Sequence, residues 1–160
     1  MMEEDGIAMK IRIETDERLE EPEIIIRGRN LDGDIAKVQA AIIDVLTKNR
    51  KLPLIKNGKD YYLHPENILF FEATEGKVYA HSPSNMYEVK QKLYELESTL
   101  PSSFVRVSKS VVIGTKYILS ISRNLTGPSI VQFRGSPKQV TISRSYYTQF
   151  RDKLNERSLL

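Results

Sequence analysis

Residues 10–14 read KIRIE, apolar and polar in alternation, which predicts a strand with one buried face. Residues 23–27, EIIIR, predict a second short strand, and the acidic ETDERLEEP between them predicts a turn-rich connection. Asp32 and Asp34 then precede Ile35, Val38, Ile42, Val45 and Leu46. Those steps of three and four predict an amphipathic helix with the aspartates at its positive end. Residues 10–51 thus read as a small strand–strand–helix unit, behind a leader at residues 1–9 that is expected to be disordered. A unit of about fifty residues is too small to hold a secure core alone. It needs the rest of the chain or a second copy.

Residues 52–157 read differently. In LIKNGKDYYL the pair Asn57-Gly58 marks a hairpin, because a two-residue I′ turn requires positive φ at both positions. His64-Pro65 ends it, and Pro65 opens a single helical turn. The apolar run NILFFEA predicts a strand over residues 68–73. Glu75-Gly76 turns it into a strand at 77–81, and SPSN turns that into another at 86–89. Leu93, Leu96 and Leu100 share a helical face, and Pro101 stops that helix. Further strands are expected at 104–113, 116–122, 129–134 and 138–142, with RNLTGP as a loop and Gly135-Ser136 as a turn. Ser143 is expected to cap the last helix through its side-chain oxygen, with Tyr147, Phe150 and Leu154 on the buried face. Strands spaced by roughly ten residues, with few helices, indicate a mainly β fold with α elements, largely antiparallel.

Composition narrows the class. The 160 residues are 40% hydrophobic and 28% charged, which suits one domain plus a small extra unit. Cysteine is absent, so disulfides and thiolate chemistry are excluded, and a cytoplasmic location is the default. No apolar run approaches the roughly 18 residues of a membrane span, and the acidic N-terminus lacks the layout of a signal peptide. The net charge of +3 hides an asymmetry. Residues 1–50 carry −4, residues 51–100 carry −1 and residues 101–160 carry +8. From 101 to 150 there is no acidic residue, while seven are Lys or Arg. A folded stretch of one sign repels itself, and a polyanion is the natural partner to offset that.

Catalytic chemistry is hard to assemble. His64 and His81 are the only histidines, with no carboxylate at ligand spacing beside either. No serine sits in a Gly-x-Ser-x-Gly elbow, and RGSPKQ lacks the second glycine and the Lys-Ser/Thr pair of a phosphate loop. A non-enzymatic protein without cofactor or metal is expected. The fifty or so residues ahead of the β domain are also too few for a doubly wound receiver domain.

Several stretches recur together in order: ENILFFEATEGKVYAHS, a leucine-spaced helix ending LESTLPSSFVRVSKSVVIG, then KYILSI, and finally KQVTISRSYYTQFRDKL. Over residues 54–154 the chain resembles the LytTR DNA-binding domain, and its N-terminal unit resembles the short extension of stand-alone LytTR regulators. The resemblance implies small antiparallel sheets packed in layers with flanking helices. It implies double-stranded DNA as partner, with loops and strand ends entering successive major grooves. It also implies a homodimer on repeated half-sites. Members of this stand-alone kind are often encoded beside small membrane proteins, so a membrane-protein regulator is a conceivable partner of a chain not itself membrane-embedded. Gly114 stands where the family often has asparagine and is expected to supply the same turn freedom. Ser108 stands where histidine is common.

The resemblance puts DNA contacts in three segments: Gly76 and Lys77; Arg106, Ser108, Lys109 and Ser110; and Ser143 with Arg144. Lys109 interrupts an apolar stretch where a buried ammonium would cost several kcal/mol, so it is expected to point outward. Arg144 occupies the first turn of a helix, where the dipole disfavours a cation, and its fork suits guanine or phosphate. Arg106 reads equally as a pin for a neighbouring loop, and Ser143 as a simple cap. Arg134 and Lys138 flank a hairpin turn and are expected to add phosphate contacts. Two rivals remain open: an RNA-binding module, which needs stacking aromatics on a sheet face, and a protein-interaction domain with a basic face.

Overall fold

The computed structural model describes residues 9–30, 33–48 and 50–158. The expected leader, apart from Met9, and Asp32 lie outside the described residues. The expected first helix is present as α1 (Gly33–Thr47), but the two strands before it are not. Among the described residues no backbone hydrogen bond joins 9–15 to 22–28. The two segments line a common cleft all the same, Lys10, Arg12 and Glu14 from one and Glu23, Ile25 and Arg27 from the other. Charge gives a reason for the missing ladder. An antiparallel register that set Lys10 against Arg27 would also set Glu14 against Glu23, like against like.

The second part follows expectation closely. β1 (Leu52–Lys56) and β2 (Lys59–Leu63) form the hairpin, with Asn57 at φ 51 and Gly58 at φ 71 as a I′ turn demands. A single 3-10 turn at Pro65–Asn67 leads to β3 (Phe70–Thr74), β4 (Lys77–His81), β5 (Met86–Val89) and α2 (Leu93–Thr99). The expected strand at 104–113 is instead a hairpin, β6 (Phe104–Arg106) and β7 (Val111–Gly114), paired from Phe104↔Gly114 to Arg106↔Val112. Both arms are apolar and the polar residues at 108–110 form the bend, so the pattern mimics one interrupted strand. β8 (Ile118–Ser122), β9 (Ser129–Phe133), β10 (Gln139–Ile142) and α3 (Arg144–Ser158) complete the chain.

The strands make a seven-stranded antiparallel sheet, ordered β2-β1-β5-β4-β3-β7-β6, and a three-stranded one, ordered β10-β9-β8. Residues on the two faces of the large sheet enter separate cores. Phe71 and Val112 pack with Leu96 of α2, while Phe70 and Ile113 pack with Val131 and Ile142 of the small sheet and Phe150 of α3. Burial on both faces explains why residues 68–71 read as a continuous apolar run rather than an alternating one. Gly114 has a different use from the one expected. It lies in β7 without positive φ, and a Cβ there would stand 3.0 Å from Phe104 Cε1 and 3.2 Å from the Ile68 carbonyl oxygen. Close packing, rather than turn freedom, calls for glycine.

Candidate nucleic-acid interface

Two main-chain hydrogen bonds draw the three expected contact segments together. The β3–β4 turn, with Glu75 at φ 52 and Gly76 at φ 76, delivers Lys77 to the start of β4. Just before that turn, the Ala73 N–H donates to the Ser110 carbonyl at 2.8 Å, which fixes the β6–β7 loop beside it. On the other side of the loop, the Ser143 N–H donates to the Val107 carbonyl at 2.9 Å, which fixes the start of α3. Val107 is fully buried and anchors the loop in the second core. Lys77, Lys109 and Arg144 therefore share one edge of the molecule.

Their side chains are not equally free. The side chains of Lys109 and Arg144 are exposed and form no hydrogen bond or ion pair among the described residues. Lys77 is exposed but lies 3.2 Å from the Glu88 carboxylate on β5, a surface pair of the kind that contributes little. Ser108 Oγ accepts from the Ser110 N–H at 3.2 Å, an internal turn contact, with the Ser110 hydroxyl 3.4 Å away. Ser143 does not cap α3 through its side chain as expected. Its carbonyl accepts the Tyr146 N–H at 3.0 Å, and its hydroxyl lies 3.4 Å from that of Ser145.

Arg106 takes the loop-pinning role. Its Nε donates to the Ser108 carbonyl at 2.7 Å, Nη2 donates to the Lys109 carbonyl, and Nη1 meets Glu97 of α2 at 2.7 Å. Its side chain is only 19% exposed. One guanidinium thus holds two carbonyls of the loop that bears Lys109, using the fixed fork geometry that lysine lacks.

Arg134 and Lys138 are not brought to this edge. They belong to the β9–β10 turn, at the opposite end of the small sheet from Ser143, because β10 runs from that turn toward α3. The turn clasps the β4–β5 connection instead. Ser136 Oγ donates to the Pro83 carbonyl at 2.6 Å and Lys138 Nζ donates to the Asn85 carbonyl at 2.7 Å. Burial, then the nearby Lys56 charge, lowers the Lys138 pKa. Lys138 Nζ also lies 3.4 Å from His81 Nδ1. His81 stacks on Phe70 with ring centroids 4.2 Å apart, and its Nε2 lies 3.2 Å from Glu72 Oε2. Burial first, and Lys138 second, hold its pKa below the ordinary histidine range, while Glu72 pulls the other way.

One cation on the interface edge escaped the sequence reading. Arg123 opens the β8–β9 loop, which shares an end of the small sheet with Ser143 through the pairings Ser122↔Ile130 and Ile142↔Ser129. Its guanidinium sits 5.3 Å from the Tyr147 ring centroid, and both line a small cleft with Arg144. The absence of acids over 101–150 was the available signal, but it marks all seven cations alike.

A family model for the LytTr DNA-binding domain matches residues 58–155. The chain belongs to the LytTR DNA-binding domain family. Uncharacterized HTH-type transcriptional regulators from Staphylococcus aureus strains COL and MW2 are similar to this LytTR chain. Each is 26% identical over 110 residues, spanning 69% of this chain and 74% of the relative. A solved LytTr DNA-binding domain from Bacillus cereus shares the fold, with a TM-score of 0.62 at 22% identity, covering 66% of this chain and 97% of that one. Its likeness matches the two antiparallel sheets and flanking helices described above. The family is one of DNA-binding rather than catalytic domains, so this LytTR protein binds DNA and is not an enzyme. Among the described residues no helix is long and apolar enough to cross a membrane.

Proposed function

We propose that this LytTR protein is a sequence-specific regulator of transcription that presents the β3–β4 turn, the β6–β7 loop and the start of α3 to successive major grooves of duplex DNA, acting in the cytoplasm as a homodimer on repeated half-sites. The observation that carries this reading is the pair of main-chain bonds, Ala73 to Ser110 and Val107 to Ser143, that joins these segments along one edge. Lys109 and Arg144 reach base edges or phosphates, since both are exposed cations without an internal partner. Lys77 and the hydroxyls of Ser108, Ser110 and Ser143 add contacts to the backbone. Arg106 acts through the loop it holds. The S. aureus relatives carry the name of transcriptional regulators, which agrees with this role.

The test is selection of bound fragments from random duplex DNA with the full chain, followed by titration of the selected duplex, a scrambled duplex and single-stranded RNA at several salt concentrations. The selected duplex should bind at least tenfold more tightly than either competitor, with log affinity falling against log salt by about 0.9 per phosphate neutralised. A flat salt response, or RNA binding as tight as the best duplex, would overturn the proposal.

A further inference from the structure

Eight of the fourteen large apolar side chains exposed among the described residues lie between Met9 and Leu46. Among them, the segment at 23–27 faces two clefts at once. On one face, Ile24 and Ile26 stand over a groove against α1 with Ile42 and Leu46. On the other, Ile25 turns into the cleft beside 10–14. Ile24 and Ile25 are each 60% exposed. The backbone N–H and C=O groups of this segment form no backbone hydrogen bond among the described residues. Apolar and with its main-chain groups unpaired by backbone, it offers the donors and acceptors to which a strand from another chain can add.

The charges at its ends identify that chain. An isologous contact places the same segment on both sides of a two-fold axis. Centred on Ile25 and run antiparallel, EIIIR sets Glu23 against the partner's Arg27, Ile24 against the partner's Ile26, and Ile25 against its own copy. Both ion pairs form at once, and neither Glu23 nor Arg27 has an ion pair within its own chain among the described residues. The KIRIE segment lacks this fit. The same operation would oppose Arg12 to its own copy, and Arg12 is already paired with Glu14 at 2.8 Å.

We infer that residues 23–27 form the dimer seam, pairing antiparallel with the same residues of a second copy. This rests on the homodimer reading above and adds its location. The unit too small for its own core then shares one with its twin, and the helices α1 of the two copies cover the joined strands.

Charge reversal tests the register. The full chain, Glu23→Arg and Arg27→Glu are examined alone by sedimentation equilibrium, and the two variants are then mixed in equal amounts. The unaltered chain is expected to be dimeric, and each variant at least tenfold weaker in self-association, because each sets like charges together twice. The mixture should recover the dimer, since both ion pairs then join Arg to Glu. Full dimerisation of each variant alone would overturn the seam and leave the homodimer reading standing. Variants that stay monomeric when mixed would overturn the register. A monomeric unaltered chain would remove the homodimer reading and the seam with it.

Discussion

The Asp44 carboxylate, in the last turn of α1, accepts both the backbone N–H and the hydroxyl of Ser102, at 2.8 and 2.7 Å. Ser102 lies two residues ahead of β6, and β6 ends on Arg106, which holds the Lys109 loop. The helix α1 is thus fastened to the strand that leads into the proposed DNA-binding edge. Asp44→Ala should cost about 1.5–3 kcal/mol of stability, the usual range for hydrogen bonds to a charged group. Thermal unfolding measures the loss, and amide exchange at Ser102 should quicken.

Arg106 and Glu97 give a test in which two mechanisms predict opposite signs. Removing a surface acid ordinarily strengthens binding to a polyanion. Here Glu97→Gln should weaken DNA binding by a few-fold, because it loosens the guanidinium that holds the Ser108 and Lys109 carbonyls. Tighter binding on titration of the selected duplex would mean that Arg106 needs no help from Glu97.

Position in the fold separates cations that look alike in the sequence. Lys109→Ala and Arg144→Ala should each weaken specific binding by about 1–3 kcal/mol without lowering the melting temperature. Arg134→Ala, at the far end of the small sheet, should change it by less than about 0.5 kcal/mol. Fluorescence anisotropy with one labelled duplex compares all three.

His81 sets a pH dependence of stability. With its folded pKa held below the ordinary value by burial and Lys138, the unfolded chain takes up the proton first as pH falls. Stability contributed by the neutral ring is intact above about pH 6.5 and is lost progressively below it, down through the lowered folded pKa. Denaturant midpoints across that window should decline in the unaltered protein and decline less in His81→Gln.

Local signals were legible where local chemistry decides. Asn57-Gly58 announced its turn, and the leucine spacing of α2 announced its helix, since each depends on residues a few positions apart. The hairpin at 104–114 was hidden because its bend is short and polar while both arms are apolar, as in a strand with one interruption. Arg134 and Lys138 looked as suitable as Arg144 because sequence gives a cation's sign but not its end of a strand. That end follows from pairings such as Gln139↔Gln132, which join residues by tertiary packing. The segments at 10–14 and 23–27 alternate or cluster apolar residues as strands do. A strand also needs a partner, and the antiparallel register that sets Lys10 against Arg27 places like charges together at both ends.

The bonds that fasten the interface edge use main-chain atoms, from Ala73 to Ser110 and from Ser143 to Val107. Side chains at 77, 109 and 144 take no part in them. On the proposed interface, substitution at those three positions would change which duplex is bound while the main-chain frame stays fixed.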